Sequence, residues 1–248
     1  FPSIAKMEGL VLQAVCDIDE KTAKAAKEKW NAKKYYMGYK EMFADADLDA
    51  VIIATPNNVH RNQAVAAAKA GIHVIVEKPL AITNYEAWDI VNACNKAGVK
   101  LMVGCDRRFW THNQWAKQLI DDGVIGNLLM SRASLHEHWY NYQNNVAFTD
   151  FRLNCEVAGG AAISDTGAHA IDLLTWLNGS KVKRVVGVAK RVAMPEEYTK
   201  CDDLASLLLE FENGAQGYVS CNRFSPAVSQ ATELYGTEGT IYTATDAT

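Results

Sequence analysis

Short apolar runs rich in β-branched residues alternate with helical-period stretches over the first hundred residues. Residues 10–15, 50–54, 72–76 and 100–103 read as buried strands, too short and too uniformly apolar for surface helices. Between them, residues 19–30, 39–46, 59–70 and 83–97 read as helices, with Asp19 and Thr83 as opening signals and Gly71 and Gly98 as stops. A short Tyr35-Tyr36 segment follows the first helix. Such β-α alternation predicts a parallel sheet with helices on both faces, and ligands of these sheets collect at the carboxyl ends of the strands. The run over 72–76 ends abruptly in Glu77-Lys78-Pro79, where Pro79 offers no ladder donor, so Lys78 stands at that edge.

After Gly104 the pattern changes. A helix over 111–122 leads through Gly123 and Gly126 to a strand at 128–136, and irregular sequence continues to Asn154. Gly159-Gly160 introduces a helix over 165–177, and strands are expected at 182–190, 204–212, 216–222 and 231–235, with Asn213-Gly214 as a hairpin turn. The fold class is therefore α/β. A Rossmann-type parallel sheet over 1–104 is followed by an α+β domain over 105–248 with a mostly antiparallel sheet. The strand over 204–212 carries apolar residues on both faces, more than one covered face requires.

Composition narrows the function classes. The 248 residues carry a net charge of -4, and Lys and Arg are dispersed, which argues against nucleic acid or an anionic membrane as partner. There is no apolar run of about 20 residues and no secretion-signal layout at the first residues, so a cytoplasmic protein acting on small molecules is expected. Six scattered cysteines without a C-x-x-C pair favour reduced thiols over disulfides. His136 and His138 share a strand face without a suitably spaced third ligand, so no metal is expected.

Asp17 follows the first strand, where dinucleotide folds place the acid that bonds ribose hydroxyls, yet no G-x-G-x-x-G turn occurs among the 16 glycines. The expectation is that the turn lies upstream, that residues 1–7 are the remnant of a first crossover helix, and that the parallel sheet lacks its first strand. In the helix over 165–177, Asp165, His169, Asp172 and Trp176 fall on adjoining parts of one face. A carboxylate one turn from an imidazole suits a general base for a hydroxyl proton, while an N-cap aspartate with a surface histidine would look the same. Trp139, Tyr140, Asn141 and Tyr142 offer a wall for a sugar ring, and an aromatic-rich loop serves domain packing as often.

In order and spacing, Thr55-Pro56-Asn57 with His60, Glu77-Lys78-Pro79, Arg108-Phe109, Arg152 ahead of Gly159-Gly160, and Asp165-x-Gly167-x-His169-x-x-Asp172 resemble the glucose-fructose oxidoreductase and inositol dehydrogenase family. The resemblance covers essentially the whole chain. It implies that Lys78, Asp165 and His169 are catalytic, and that Asp17, Thr55, Pro56, Asn57, His60, Glu77, Lys78 and Arg108 bind the cofactor. It also implies that Lys78, Arg152, Asp165, His169 and Asp172 meet the substrate. The expected reaction is oxidation of a secondary hydroxyl of a sugar or cyclitol by hydride transfer to nicotinamide. Asp17, followed by Ile18 rather than an arginine, favours NAD over NADP. The alternatives are an NAD-dependent glycosidase of the same fold and a non-catalytic dinucleotide-binding regulator. A homo-oligomer is expected, as is a chain truncated at both ends that is itself inactive.

Overall fold

The computed structural model describes residues 4, 7–138 and 151–246. Two compact units emerge: residues 1–55, 59–80 and 84–103, and residues 56–58, 81–83 and 104–248. Trp139, Tyr140, Asn141 and Tyr142 lie outside the described residues, as does most of the segment read as a helix remnant.

In the first unit, β1 (Ala14–Cys16) pairs in parallel with β2 (Lys34–Tyr36), and β3 (Ala50–Ile53), β4 (His73–Val76) and β5 (Leu101–Val103) form a second parallel ladder. Among the described residues no ladder joins β1 to β3, so the parallel strands form two ladders with a break between them, in line with the expectation of a sheet that lacks its first strand. The crossover helices are α1 (Glu20–Trp30), α2 (Tyr39–Asp45), α3 (His60–Lys69) and α4 (Asn84–Ala97). Asp19 caps α1 by accepting from Thr22 N at 2.9 Å, and Asn31 in a left-handed conformation ends it. Helix α3 packs through Ala64, Ala67 and Ala68, all buried, which lets it lie close against the strands. Val74 and Val76 of β4 and Ile90 of α4 complete this core.

The second unit is built on a six-stranded sheet in the order β11-β10-β6-β9-β8-β7. Its strands are β6 (Leu128–His138), β7 (Val182–Lys190), β8 (Leu204–Phe211), β9 (Gln216–Asn222), β10 (Phe224–Gly236) and β11 (Thr240–Asp246). All neighbours are antiparallel except β6 and β9. Strand β10 extends well past the expected 231–235 on its amino-terminal side, because its register with β6 slips between Phe224 and Ser229 and hides the alternation.

Helix α5 (Thr111–Asp121), the single turn α6 (Cys155–Ala158) and helix α7 (Gly167–Asn178) complete the unit. Alternation in β8 turns Ala205, Leu207, Leu209 and Phe211 inward; the last three meet Ala170 and Leu174 of α7 and Val219 of β9, and Ala205 packs with Leu135, Ala162 and Cys221. Complete burial of a leucine such as Leu174 contributes about 1.5–3 kcal/mol. A second cluster joins Leu173 and Leu177 of α7 to Ala116, Ile125 and Leu234. Cys155 and Cys201 form a disulfide, contrary to the reduced thiols expected: residues 46 apart give no spacing signal, and the fold brings their Cα atoms to 5.4 Å.

Candidate functional site

The first unit assembles its candidate groups at the carboxyl ends of the parallel strands. Asp17 lies just past β1, its N–H donating to Tyr36 O at 3.1 Å. Its Oδ1 accepts from Asp19 N at 2.9 Å, while Ile18 beside it is 90% exposed. A half-buried carboxylate at this edge, with no cationic neighbour at the next position, suits two vicinal ribose hydroxyls and opposes a 2′-phosphate.

Thr55 follows β3 and its hydroxyl donates to Gln63 Oε1 at 2.8 Å. Glu77 and Lys78 follow β4: Glu77 N donates to Ile53 O at 2.9 Å, Lys78 N to Glu77 Oε2 at 3.3 Å, and the Lys78–Pro79 peptide is cis. His60, expected among the cofactor ligands, is fully buried. Its ring nitrogens lie 2.9 Å from Thr55 O and 3.0 Å from Pro79 O, so it ties the loops after β3 and β4 together from behind and offers no surface to a dinucleotide. The sequence pattern marks such a histidine as important without saying which way it points.

In the second unit, Asn57 is buried and its side-chain amide donates to Ala158 O at 2.9 Å, which commits it to the loop ahead of Gly159. Gly159, at φ +77, faces Ile82 so closely that a Cβ would sit 2.8 Å from Ile82 Cβ; close approach and left-handed backbone both require glycine.

Helix α7 is entered through a π-helical turn, Ala162–Thr166. Asp202 fixes that entry: its carboxylate accepts from Ala161 N at 2.9 Å and Ile163 N at 2.7 Å, and its carbonyl from Ala162 N at 3.1 Å. Asp165 therefore lies inside the π turn and is not an N-cap, which corrects the regular helix expected from residue 165 and shifts the register of its one-face alignment. Its carboxylate is buried and paired with Arg223, and Arg152 Nε lies 3.3 Å from the same oxygen.

His169 stands in the first turn of α7 with its side chain 15% exposed and Nδ1 3.7 Å from Asp106 Oδ1. It borders a water-sized cavity of about 20 Å³ together with Arg107, Asn113, Ser134, Gln230 and Thr232. Asp172, one turn further, takes another partner: Arg108 grips it with Nε, at 2.8 Å, and Nη2. Arg108 and Asp172, expected on the cofactor and substrate sides respectively, are thus bound to each other. Burial and the Asp172 carboxylate push the neighbouring Cys105 thiol up to about 12. Trp176 packs against the cluster around Leu173 and Leu177.

The sequence reading missed Arg223, Asp106, Thr166, Glu137 and Asp202. Asp106 was signalled only by its place after β5 in the run Asp106-Arg107-Arg108, and Arg223 only by a charge among the strand residues Cys221, Asn222 and Phe224. His136 of β6 bonds Ser220 Oγ through Nε2 at 3.1 Å, and burial lowers its pKa.

Residues 2–105 match the model of the oxidoreductase family with an NAD-binding Rossmann fold, and residues 113–242 match the GFO/IDH/MocA C-terminal domain. Levoglucosan dehydrogenase of Pseudarthrobacter phenanthrenivorans is 28% identical over 252 residues, an alignment covering 93% of this chain and 64% of that protein. Myo-inositol 2-dehydrogenase of Thermotoga maritima is 27% identical over 243 residues, covering 97% of this chain and 70% of that protein. A solved levoglucosan dehydrogenase in complex with NADH superposes with a TM-score of 0.86 at 28% identity, covering 95% of this chain and 64% of that one. The chain thus spans less than two thirds of the length of levoglucosan dehydrogenase. With both domain models matched in order along one sequence, the chain belongs to the GFO/IDH/MocA family of oxidoreductases.

Proposed function

We propose that the intact protein oxidises a secondary hydroxyl of a sugar, cyclitol or sugar derivative and passes the hydride to NAD. The observation that carries this reading is the histidine His169, largely buried on a rigid helix, four residues beyond a buried carboxylate that two arginines hold. His169 takes the hydroxyl proton, Asp165 sets its orientation, and the Lys78 ammonium stabilises the alkoxide that develops. Bound NAD supplies the hydride acceptor. Asp17 would hold the adenosine ribose, and Thr55, Pro56 and Glu77 the nicotinamide side. Arg152 and the Arg108–Asp172 pair would present polar edges to the substrate. On this reading residues 1–104 are the dinucleotide-binding domain and 105–248 the substrate and oligomerisation domain.

The test is a screen of the full-length protein with NAD against inositols, aldoses and nucleotide sugars, following absorbance of the reduced cofactor. Accumulating NADH with one of these polyols supports the dehydrogenase. Release of an aglycone with no net NADH would instead identify the glycosidase chemistry of the same fold. For the cofactor, Asp17→Ala should weaken NAD binding by about tenfold, the cost of a good hydrogen-bonded contact, and relax discrimination against NADP. Fluorescence titration with both dinucleotides measures it, and a native preference for NADP would refute the assignment.

The proposed partner beyond the substrate is a second copy of the chain, in the cytoplasm; among the described residues no helix is long and apolar enough to cross a membrane. The sheet face opposite α7 presents Met130, Val186, Val188, Leu208 and Tyr242, each at least 41% exposed. An apolar face of this kind is the usual seat of a sheet-to-sheet contact. Sedimentation of the full-length protein should give a dimer or tetramer, and Leu208→Arg should shift it toward monomer. A native monomer at micromolar concentration would refute the assembly.

A further inference from the structure

We infer that Arg223, at the junction of β9 and β10, is the positioning residue for Asp165 in the reaction proposed above, and the inference rests on that reading of Asp165 and His169. Arg223 is the largest fully buried side chain among the described residues, at 0% exposure. Taking a guanidinium out of water costs several kcal/mol even after relaxation, so its survival there requires charge and hydrogen bonds in compensation. Arg223 Nη2 donates to Asp165 Oδ2, and Nε donates to Thr166 Oγ1 at 3.4 Å. The Thr166 hydroxyl donates in turn to Glu137 Oε2 at 2.8 Å, which anchors the chain of contacts on β6.

The main chain of Arg223 is held as firmly as its head group. Its N–H donates to Asp203 O at 3.0 Å, and the Asp203 carboxylate accepts from the N–H groups of Val192, Ala193 and Met194 at 2.8, 2.9 and 2.7 Å. Both ends of a long, flexible side chain are therefore fixed, and the oxygen it grips is fixed with them. That oxygen also faces Arg152, whose side chain is 34% exposed and can exchange with solvent. Arg223 cannot. Without exposed surface it meets neither sugar nor nicotinamide, so its influence on the chemistry passes through Asp165.

The experiment compares four variants of the full-length protein: Arg223→Met, Arg223→Lys, Asp165→Asn, and the double variant of Asp165→Asn with Arg223→Met. Arg223→Met should lower kcat by about 30-fold or more, within the range of a mispositioned acid-base pair, with substrate KM and NAD affinity changed less than about threefold. Arg223→Lys should restore part of the loss. The double variant should be no slower than Asp165→Asn alone, since Arg223 acts through that carboxylate. A folded Arg223→Met that turns over like wild type would overturn the inference, as would a double variant showing the two losses multiplied. If Arg223→Met does not fold, the double variant, which removes both buried charges together, and Arg223→Lys decide the matter. An Asp165→Asn with unchanged kcat would remove the underlying reading itself, whereas a slow Asp165→Asn beside a normal Arg223→Met would remove this inference alone.

Discussion

Replacing Lys78 by Met in the full-length enzyme is expected to lower kcat by at least ~100-fold while NAD binds nearly as before. The lysine stands two residues beyond Val76, the end of β4, on a loop whose backbone is fixed on both sides. Glu77 N bonds the neighbouring strand at Ile53 O, and the buried His60 ring holds Pro79 O at 3.0 Å. A cation on so rigid a base costs no reorganisation when alkoxide charge develops as the hydroxyl proton leaves, which is the condition for electrostatic catalysis. Methionine keeps much of the stem and removes the charge. Steady-state turnover and a dinucleotide titration read the two effects separately. An equal loss of NAD affinity would place Lys78 among the cofactor ligands, and unchanged turnover would sink the mechanism.

His169→Asn should cost 10²- to 10⁴-fold in the hydride-transfer step, about the range that a positioned proton acceptor supplies. Asparagine has similar bulk and hydrogen-bonding atoms but accepts no proton at working pH. The helix beneath it stays intact, because Ala170, Leu173, Leu174 and Leu177 bury the other face of α7. A single-turnover experiment with enzyme in excess of NAD isolates the step from product release. Wild-type rates in that experiment would exclude His169 as the base and turn attention to Asp106, whose carboxylate lies 3.7 Å from its Nδ1.

The parts of this fold that follow from local sequence were legible. Strands β4 and β5 and helices α1, α3 and α4 appear within two residues of where apolar runs, caps and stopping glycines put them, because each is decided by its own residues. The parallel pairing of β3, β4 and β5 was legible too, from the β-α alternation. The full length of β10 was less so, because its register slip against β6 hides the alternation. The site divides in the same way. The placement of Lys78 after a buried strand, and of Asp165 and His169 four apart, could be read from spacing. Which arginine meets which aspartate could not, since Arg108 finds Asp172 across 64 positions and Arg223 finds Asp165 across 58. The π turn was equally hidden. It arises from Asp202 bonding three consecutive N–H groups, a tertiary contact that overrides the 3.6-residue period.

The bond between Cys155 and Cys201 makes the segment carrying Asp165, His169 and Asp172 a covalent ring. Closing a ring of 46 positions removes conformational freedom from the denatured chain, a stabilisation of about 4 kcal/mol in the chain-entropy account. The topology has a second effect. A protease that cuts once inside the ring produces two fragments that stay tethered, with the candidate acid and base on pieces that cannot diffuse apart. Damage at the surface turn around Pro195 would then leave helix α7 attached to its sheet.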